Sequence, residues 1–163
     1  MITIVPIKED QVASAKKVIS AVAGRIFYPE KSSEEFAAIL DEEHELDDVD
    51  NFNQVYGGGR GIFLVVLDGD RVVGTGAFKP FDGQTAELKR LWLLEDYHGK
   101  GIGYKLVMQL FELARQAGYK RMILQTDILS VRAVGFYKRL GFEQIPPFYD
   151  DAEEGDLYMG ITL

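Results

Sequence analysis

The stretch that most constrains this chain is His98-Gly99-Lys100-Gly101-Ile102-Gly103, which joins an apolar extended segment to an apolar segment of helical period. Before it, Ala86 to Leu94 reads as a strand. After it, Ile102, Leu106, Leu110, Leu113 and Ala117 recur at helical spacing, and Gly118 closes the run. Three glycines at alternate positions let the backbone pass close to a ligand. Their amides can then point into one concavity at a helix N-terminus, a geometry suited to phosphates. It is not a Walker loop, because Leu94 stands where the first glycine is needed and Gly101 follows Lys100 in place of Ser or Thr. Nor does its x-G-x-G-x-G spacing fit a dinucleotide fingerprint. Taken alone, it also reads as a tight strand-to-helix turn without a ligand.

The remaining pattern places this loop in a mixed α/β frame. Ile2 to Ile7 alternates as a short strand. Val12, Ala15, Ile19 and Val22 mark a helix that Gly24 can end, and Ser32 with Glu35 is a capping-box pattern opening another through Phe36, Ile39 and Leu40. Ile62 to Leu67, Arg71 to Phe78 and Ala86 to Leu94 read as three successive strands with turns at 68–70 and 80–84. Arg121 to Asp127 is a fourth strand of this part. Ser130 is placed to cap a helix running to Leu140, and Gly141 stops it. Residues 142–145 and 157–163 complete the pattern as strands. The expected order is β-α-α-β-β-β-α-β-α-β-β, about seven strands and four helices, in one domain over residues 1–163. The third-strand, helix, fourth-strand unit has the length of a right-handed crossover, giving one parallel pair in an otherwise antiparallel sheet. Simple alternation on the third strand puts Glu87, Lys89, Leu91 and Leu93 on one face and Leu88, Arg90, Trp92 and Leu94 on the other.

Composition removes several chemistries. With no cysteine, the chain can form no disulfide, no thiolate metal site and no acyl-cysteine intermediate. Its two histidines, His44 and His98, cannot by themselves build a histidine-rich metal centre, so no metal is expected. The chain has no apolar run of about 18 residues, and Met1 to Lys8 lacks a signal-peptide pattern. The expectation is a cytoplasmic protein with no membrane partner. Net charge is −8, concentrated in two runs: 41–50 holds seven acids and 150–156 five, with no Lys or Arg in either. Without those twelve, 14 acids remain against 18 bases. Such runs read first as solvated loops, and second as walls around a cationic substrate. The acidic total argues against a nucleic-acid partner.

Thirty residues after the glycine loop comes Ser130-Val131-Arg132-Ala133-Val134-Gly135-Phe136-Tyr137-Lys138-Arg139-Leu140-Gly141-Phe142. Together the two blocks resemble the GNAT superfamily of acetyl-coenzyme A-dependent N-acetyltransferases. The first is similar to its Arg/Gln-x-x-Gly-x-Gly/Ala pyrophosphate loop, the second to its Asn-x-x-Ala-x-x-hydrophobic-Tyr-x-x-x-Gly-Phe helix. The resemblance covers residues 60–163 well, and the N-terminal third in element order alone. It implies a GNAT-like fold with acetyl-coenzyme A as cosubstrate, its pyrophosphate on the amides of His98, Gly99, Lys100, Gly101, Ile102 and Gly103. It implies a pantetheine arm along Leu91, Trp92 and Leu93, and Tyr137 near the thioester sulfur. Homodimerisation is a family habit. Two positions depart from the family pattern: His98 replaces Arg or Gln and gives the pyrophosphate less charge, and Ser130 replaces Asn and reaches less far toward the cofactor arm.

Acyl transfer from a thioester to an amine needs a neutral amine, a stabilised oxyanion and a protonated leaving thiolate. An alkylammonium of pKa about 10.4 is neutral only about one part in a thousand near pH 7.4, so a base is required. Direct attack in a ternary complex is the expected route. Tyr137 is the candidate general acid and Glu87 the candidate base, the latter because some histone-acetylating members of the superfamily carry a catalytic glutamate on this strand. A water relay to the acidic segments competes with Glu87. The oxyanion donor implied by the family is an amide near Leu93. Tyr149 either lines the acceptor pocket or merely packs; the same holds for Phe27 and Tyr28, while Trp92 reads as core and His44 as surface. The expected acceptor is a small cationic primary amine. The alternatives are a non-catalytic acyl-coenzyme A sensor and an acetyltransferase of protein N-termini or lysines.

Overall fold

The computed structural model describes residues 1–163. Strand β1 (Ile2–Pro6) leads into helices α1 (Val12–Phe27), α2 (Ser33–Glu42), α3 (Asp47–Asp50) and α4 (Phe52–Val55). Strands β2 (Ile62–Asp68), β3 (Arg71–Pro80) and β4 (Thr85–Leu93) follow as a meander. Then come α5 (Ile102–Gln116), β5 (Arg121–Asp127), α6 (Val131–Leu140), β6 (Glu143–Gln144) and β7 (Asp156–Thr162). The strands form one mixed sheet of seven, in the order β1-β2-β3-β4-β5-β7-β6. Only β4 and β5 run parallel. No helix is long and apolar enough to cross a membrane.

Each sheet face carries its own apolar core. On one face Leu64, Val66, Phe78, Leu88 and Leu124 pack under α5 and α6 through Leu106, Leu110, Phe111 and Tyr137. On the other, Phe63, Val65 and Ala77 pack under α1, α3 and α4 through Ala15, Val18, Ile19, Val49 and Phe52. Two-sided burial explains why β2 reads as a continuous apolar run instead of an alternating one.

The acidic stretch 41–50 departs from its reading as loop. It finishes α2 and then forms α3, and with α4 just beyond it six helices are present in place of about four expected. Its carboxylates are used inside the fold. Asp41 and Asp50 both hold Lys16 Nζ, at 2.9 and 3.1 Å. Asp48 takes a two-pronged bond from Arg90, Nε at 3.0 Å and Nη2 at 2.7 Å, and a third from the Tyr56 hydroxyl at 2.5 Å. Burial pushes the Asp48 carboxyl up, but the Arg90 bonds and charge outweigh it and leave the ionisation below the usual 3.8. A carboxylate depressed in this way contributes stability that is fully present above the unfolded value near 3.8 and is lost as pH falls through its lower folded value. Acid unfolding of Asp48→Asn is therefore expected to be shallower below pH 4 than that of wild type, measured by urea midpoints across pH 2–6.

Arg90 also breaks β4. Its φ is +57°, and the β3–β4 register shifts between Thr75 and Ala77, so one extra residue of β4 is accommodated as a bulge. Thr75 Oγ1 donates to the Arg90 carbonyl at 2.6 Å and pins it. The alternation expected from sequence is thereby reversed beyond Arg90. Glu87, Lys89 and Trp92 share the face of Ala77 and α1, whereas Leu91 and Leu93 join Leu88 on the α5 face. Gly76 permits this: a Cβ there would lie 3.1–3.2 Å from Leu106, Leu110 and Leu91 side-chain carbons.

Candidate active site

The parallel pair β4–β5 is short. It is registered only from Thr85↔Arg121 to Glu87↔Ile123, while β4 runs on to Leu93 and β5 to Asp127. The two strands therefore part after Glu87 and leave a wedge through the sheet. The α5 end of that wedge opens into a cavity of about 280 Å³. Its floor is Leu91, Trp92 and Leu93. Its rim is His98, Gly99, Gly101, Ile102 and Gly103, and its walls are Val22 and Ile26 of α1 and Ala133, Phe136 and Tyr137 of α6.

The glycine loop gives this cavity its polar end. Gly99 and Gly101 sit at φ +73° and +77°, the left-handed region that a side chain makes costly. The first helical bond of α5 runs from the Lys105 amide to the Gly101 carbonyl. The six amides from Gly99 to Tyr104 donate to no main-chain carbonyl and to no side chain. Consecutive unspent N–H groups at a 15-residue helix N-terminus are suited to a diphosphate. Arg132 and Arg139 of α6 line the same cavity and add positive charge. Sequence reading missed both. They follow the motif tyrosine's helix at i−5 and i+2, a spacing that distinguishes them only once α6 is seen to lean over the loop.

His98 sits at the rim with its ring already engaged: Nε2–H donates to the Leu93 carbonyl at 2.8 Å. The imidazole thus ties the loop to the end of β4. Lys100 is outside the lining and lies 5.6 Å from the Tyr97 ring centre. Ser130 is buried and also outside the lining; it stands at the N-cap of α6 without a side-chain capping bond, contrary to the capping role its type suggested.

Tyr137 lines the cavity and is buried at 6% exposure. Its ring is held edge-on by Phe142 at 5.5 Å. Its hydroxyl has no partner within the chain, and burial pushes its ionisation well above 10, so it is a neutral phenol at physiological pH. Such a group can donate a proton to a base generated beside it.

Glu87 lies on the opposite sheet face, at the point where β4 and β5 part. It is 1% exposed. Oε1 accepts from the Tyr149 hydroxyl at 2.5 Å, and Lys89 Nζ stands 3.9 Å from Oε2. Tyr149, which the sequence left open between lining and packing, is thus bonded to the candidate base. Burial pushes the Lys89 ammonium down, against the attraction of Glu87. Of the remaining candidates, His44 is exposed and paired with Asp47 at 3.3 Å. Tyr28 packs on Phe36 at 5.3 Å.

Residues 22–142 match the family model described as Acetyltransferase (GNAT) family. The chain is 34% identical over 119 residues to the Escherichia coli K12 "Uncharacterized N-acetyltransferase YjgM", covering 69% of this chain and 71% of that protein. It is 30% identical over 132 residues to "Uncharacterized N-acetyltransferase C1271.07c" of Schizosaccharomyces pombe, covering 80% and 81%. Among solved structures, a GNAT-family acetyltransferase from Staphylococcus aureus Mu50 superposes with TM-score 0.83 at 18% identity over 99% of both chains. The PaiA N-acetyltransferase of Thermoplasma acidophilum, solved in complex with coenzyme A, superposes with TM-score 0.78 at 20% identity over 100% and 99%. These structural likenesses concern the fold.

Proposed function

The chain belongs to the GNAT family of N-acetyltransferases, and from that premise we propose that residues 1–163 act as one unit that moves an acetyl group from acetyl-coenzyme A to a small primary amine by direct attack. The observation that carries this reading is the row of unspent amides from Gly99 to Tyr104 at the mouth of an apolar cavity. Acetyl-coenzyme A, as donor substrate, supplies the thioester carbon. Those amides, with Arg132 and Arg139, suit its phosphates, and Leu91, Leu93 and Phe136 suit its arm. Positive charge for the phosphates is available at the loop from the two arginines.

The roles divide across the wedge. On the Glu87 face the ammonium first gives one proton to the carboxylate, which releases it to solvent; the neutral nitrogen then bonds to the acyl carbon and gives its second proton to the same carboxylate. On the Tyr137 face the phenol hands its proton to the departing thiolate and is reprotonated from solvent. The C–S bond breaks, the C–N bond forms, and free thiol and amide leave. An amide near Leu93 serves as oxyanion donor. The acceptor is cationic before it is deprotonated. The second acidic run supports that charge, because Asp151 and Asp156 act on Tyr149 and Tyr158 beside Glu87. Three carboxylates of the first run, Asp41, Asp48 and Asp50, are spent on Lys16 and Arg90.

Two measurements test this. Gly101→Val forces a β-branched residue into a left-handed conformation at the rim, a strain of about 1–2 kcal/mol before any crowding of the ligand. Calorimetric coenzyme A affinity is expected to fall about tenfold or more; an unchanged affinity removes the loop from the donor site. Glu87→Gln is expected to lower the rate of thiol release about 10²-fold near pH 7. That deficit should shrink as pH approaches the amine's own pKa, where the free base is present without enzymatic help. A deficit constant across pH assigns the proton to another acceptor, such as a water relay.

A further inference from the structure

Two buried side-chain oxygens in the chain have no hydrogen-bond partner: Glu87 Oε2 and the Tyr158 hydroxyl. They belong to one cluster. Glu87 is registered beside Ile123 of β5, and Tyr158 of β7 beside Gln125, so both side chains stand on the same sheet face. Tyr149 donates to Glu87 Oε1. The Phe148 ring joins the pieces, 4.9 Å from Tyr149, 4.7 Å from Tyr158 and 5.2 Å from Phe81. Glu87 and Tyr158 are 1% and 2% exposed, so each unpaired oxygen carries a desolvation cost.

Native folds rarely leave such atoms unpaired, and here both of them fall in one place. A ligand that repays both at once brings N–H donors to the carboxylate oxygen and to the phenol lone pair, and a positive charge to the carboxylate. A primary ammonium, with three N–H groups, does both. The rings of Phe81, Phe148, Tyr149 and Tyr158 pack on one another around this point, so carbon surrounds any stem attached to the ammonium. Asp151 and Asp156 act on Tyr158 from nearby and favour a positive charge beside it. Lys89 Nζ, at 3.9 Å from Oε2, stands beyond hydrogen-bond reach of it.

We propose that Glu87 Oε2, the Tyr158 hydroxyl and the rings of Phe148 and Tyr149 form the head-group subsite for the acyl acceptor. That acceptor is a primary amine on an alkyl or arylalkyl stem, and Tyr149 is the positioning residue that holds Glu87 in place. The inference rests on the acyl-transfer reading and narrows its acceptor.

The test uses the intact chain with acetyl-coenzyme A and four probes: n-butylamine, 2-phenylethylamine, an aminoglycoside and a lysine-containing peptide. The first two are expected to show at least about tenfold higher kcat/KM. Tyr158→Phe should raise their KM about tenfold with the KM for acetyl-coenzyme A unchanged. Since it deletes an unpaired hydroxyl, its melting temperature should not fall. Tyr149→Phe should lower kcat about tenfold in the wild-type background and have no effect in the Glu87→Gln background. An unchanged amine KM in Tyr158→Phe, a preference for the aminoglycoside or peptide, or a Tyr149→Phe loss that persists in Glu87→Gln overturns the proposal. Calorimetry with 2-phenylethylamine on the coenzyme A-loaded protein separates the two levels. Amine binding abolished by Tyr158→Phe without any thiol release would sustain the subsite and defeat acyl transfer. Thiol release from an amine indifferent to Tyr158 would do the reverse.

Discussion

Tyr137→Phe is expected to lower kcat by about 10²-fold, about 2.7 kcal/mol of transition-state stabilisation, while coenzyme A affinity stays within about twofold of wild type. The substitution removes one oxygen from a ring that Phe142 and Phe136 already hold, at 5.5 and 6.0 Å, so the cavity wall keeps its shape. The hydroxyl has no partner inside the chain, so its loss breaks no structural bond. Only a role toward the leaving thiolate is affected. Steady-state rates with a saturating amine, set beside calorimetric affinity, separate the outcomes. A fall in affinity with kcat preserved would make Tyr137 a wall of the donor site. No change in either would assign thiolate protonation to water. Because burial raises its ionisation, activity is not expected to decline through Tyr137 as pH rises to 9.

Arg90→Met is expected to cost about 3 kcal/mol of stability, the low end for stranding one member of a buried ion pair, since each side chain keeps about a fifth of its surface in solvent (21% and 20%). For a chain of this size that is a fall in melting temperature of about 6–12 °C. Arg90 Nε and Nη2 hold Asp48, Nη2 also reaches the Glu45 carbonyl at 2.7 Å, and without them Asp48 faces Tyr56 alone. Adding Asp48→Leu to Arg90→Met should restore much of the loss, because two apolar residues leave no charge stranded. If the double variant is no more stable than the single one, the Arg90 contribution lies in the bulge and not in the ion pair. The bulge also decides which face Leu91 and Leu93 occupy, so the single variant should weaken coenzyme A binding as well as the fold.

The parts legible in the sequence were those written by near neighbours in the chain. The glycine loop, the strand before it and the helix after it follow from turn residues and hydrophobic period within about 30 residues. They located the cavity rim and Tyr137. Arg132 and Arg139 carried no such signal, since basic residues on a helix face read as solvated surface until the facing element is known. The face of Leu91 and Leu93 was misread because alternation assumes an unbroken ladder, and Arg90 sits at φ +57° against a carboxylate 42 residues away.

What the sequence by itself determined is therefore the order of the strands and the four longer helices, the family resemblance and the glycine loop ahead of α5. What only the tertiary structure decided is the surroundings of Glu87 and the pairing of the first acidic run: Tyr149 reaching Glu87 across 62 residues, Tyr158 on the same sheet face, and Asp41 and Asp50 closing on Lys16. The physical reason is range. Periodicity and turn chemistry are local and leave marks in local composition. Burial, charge pairing and the cost of an unpartnered oxygen depend on which distant residues the sheet brings together.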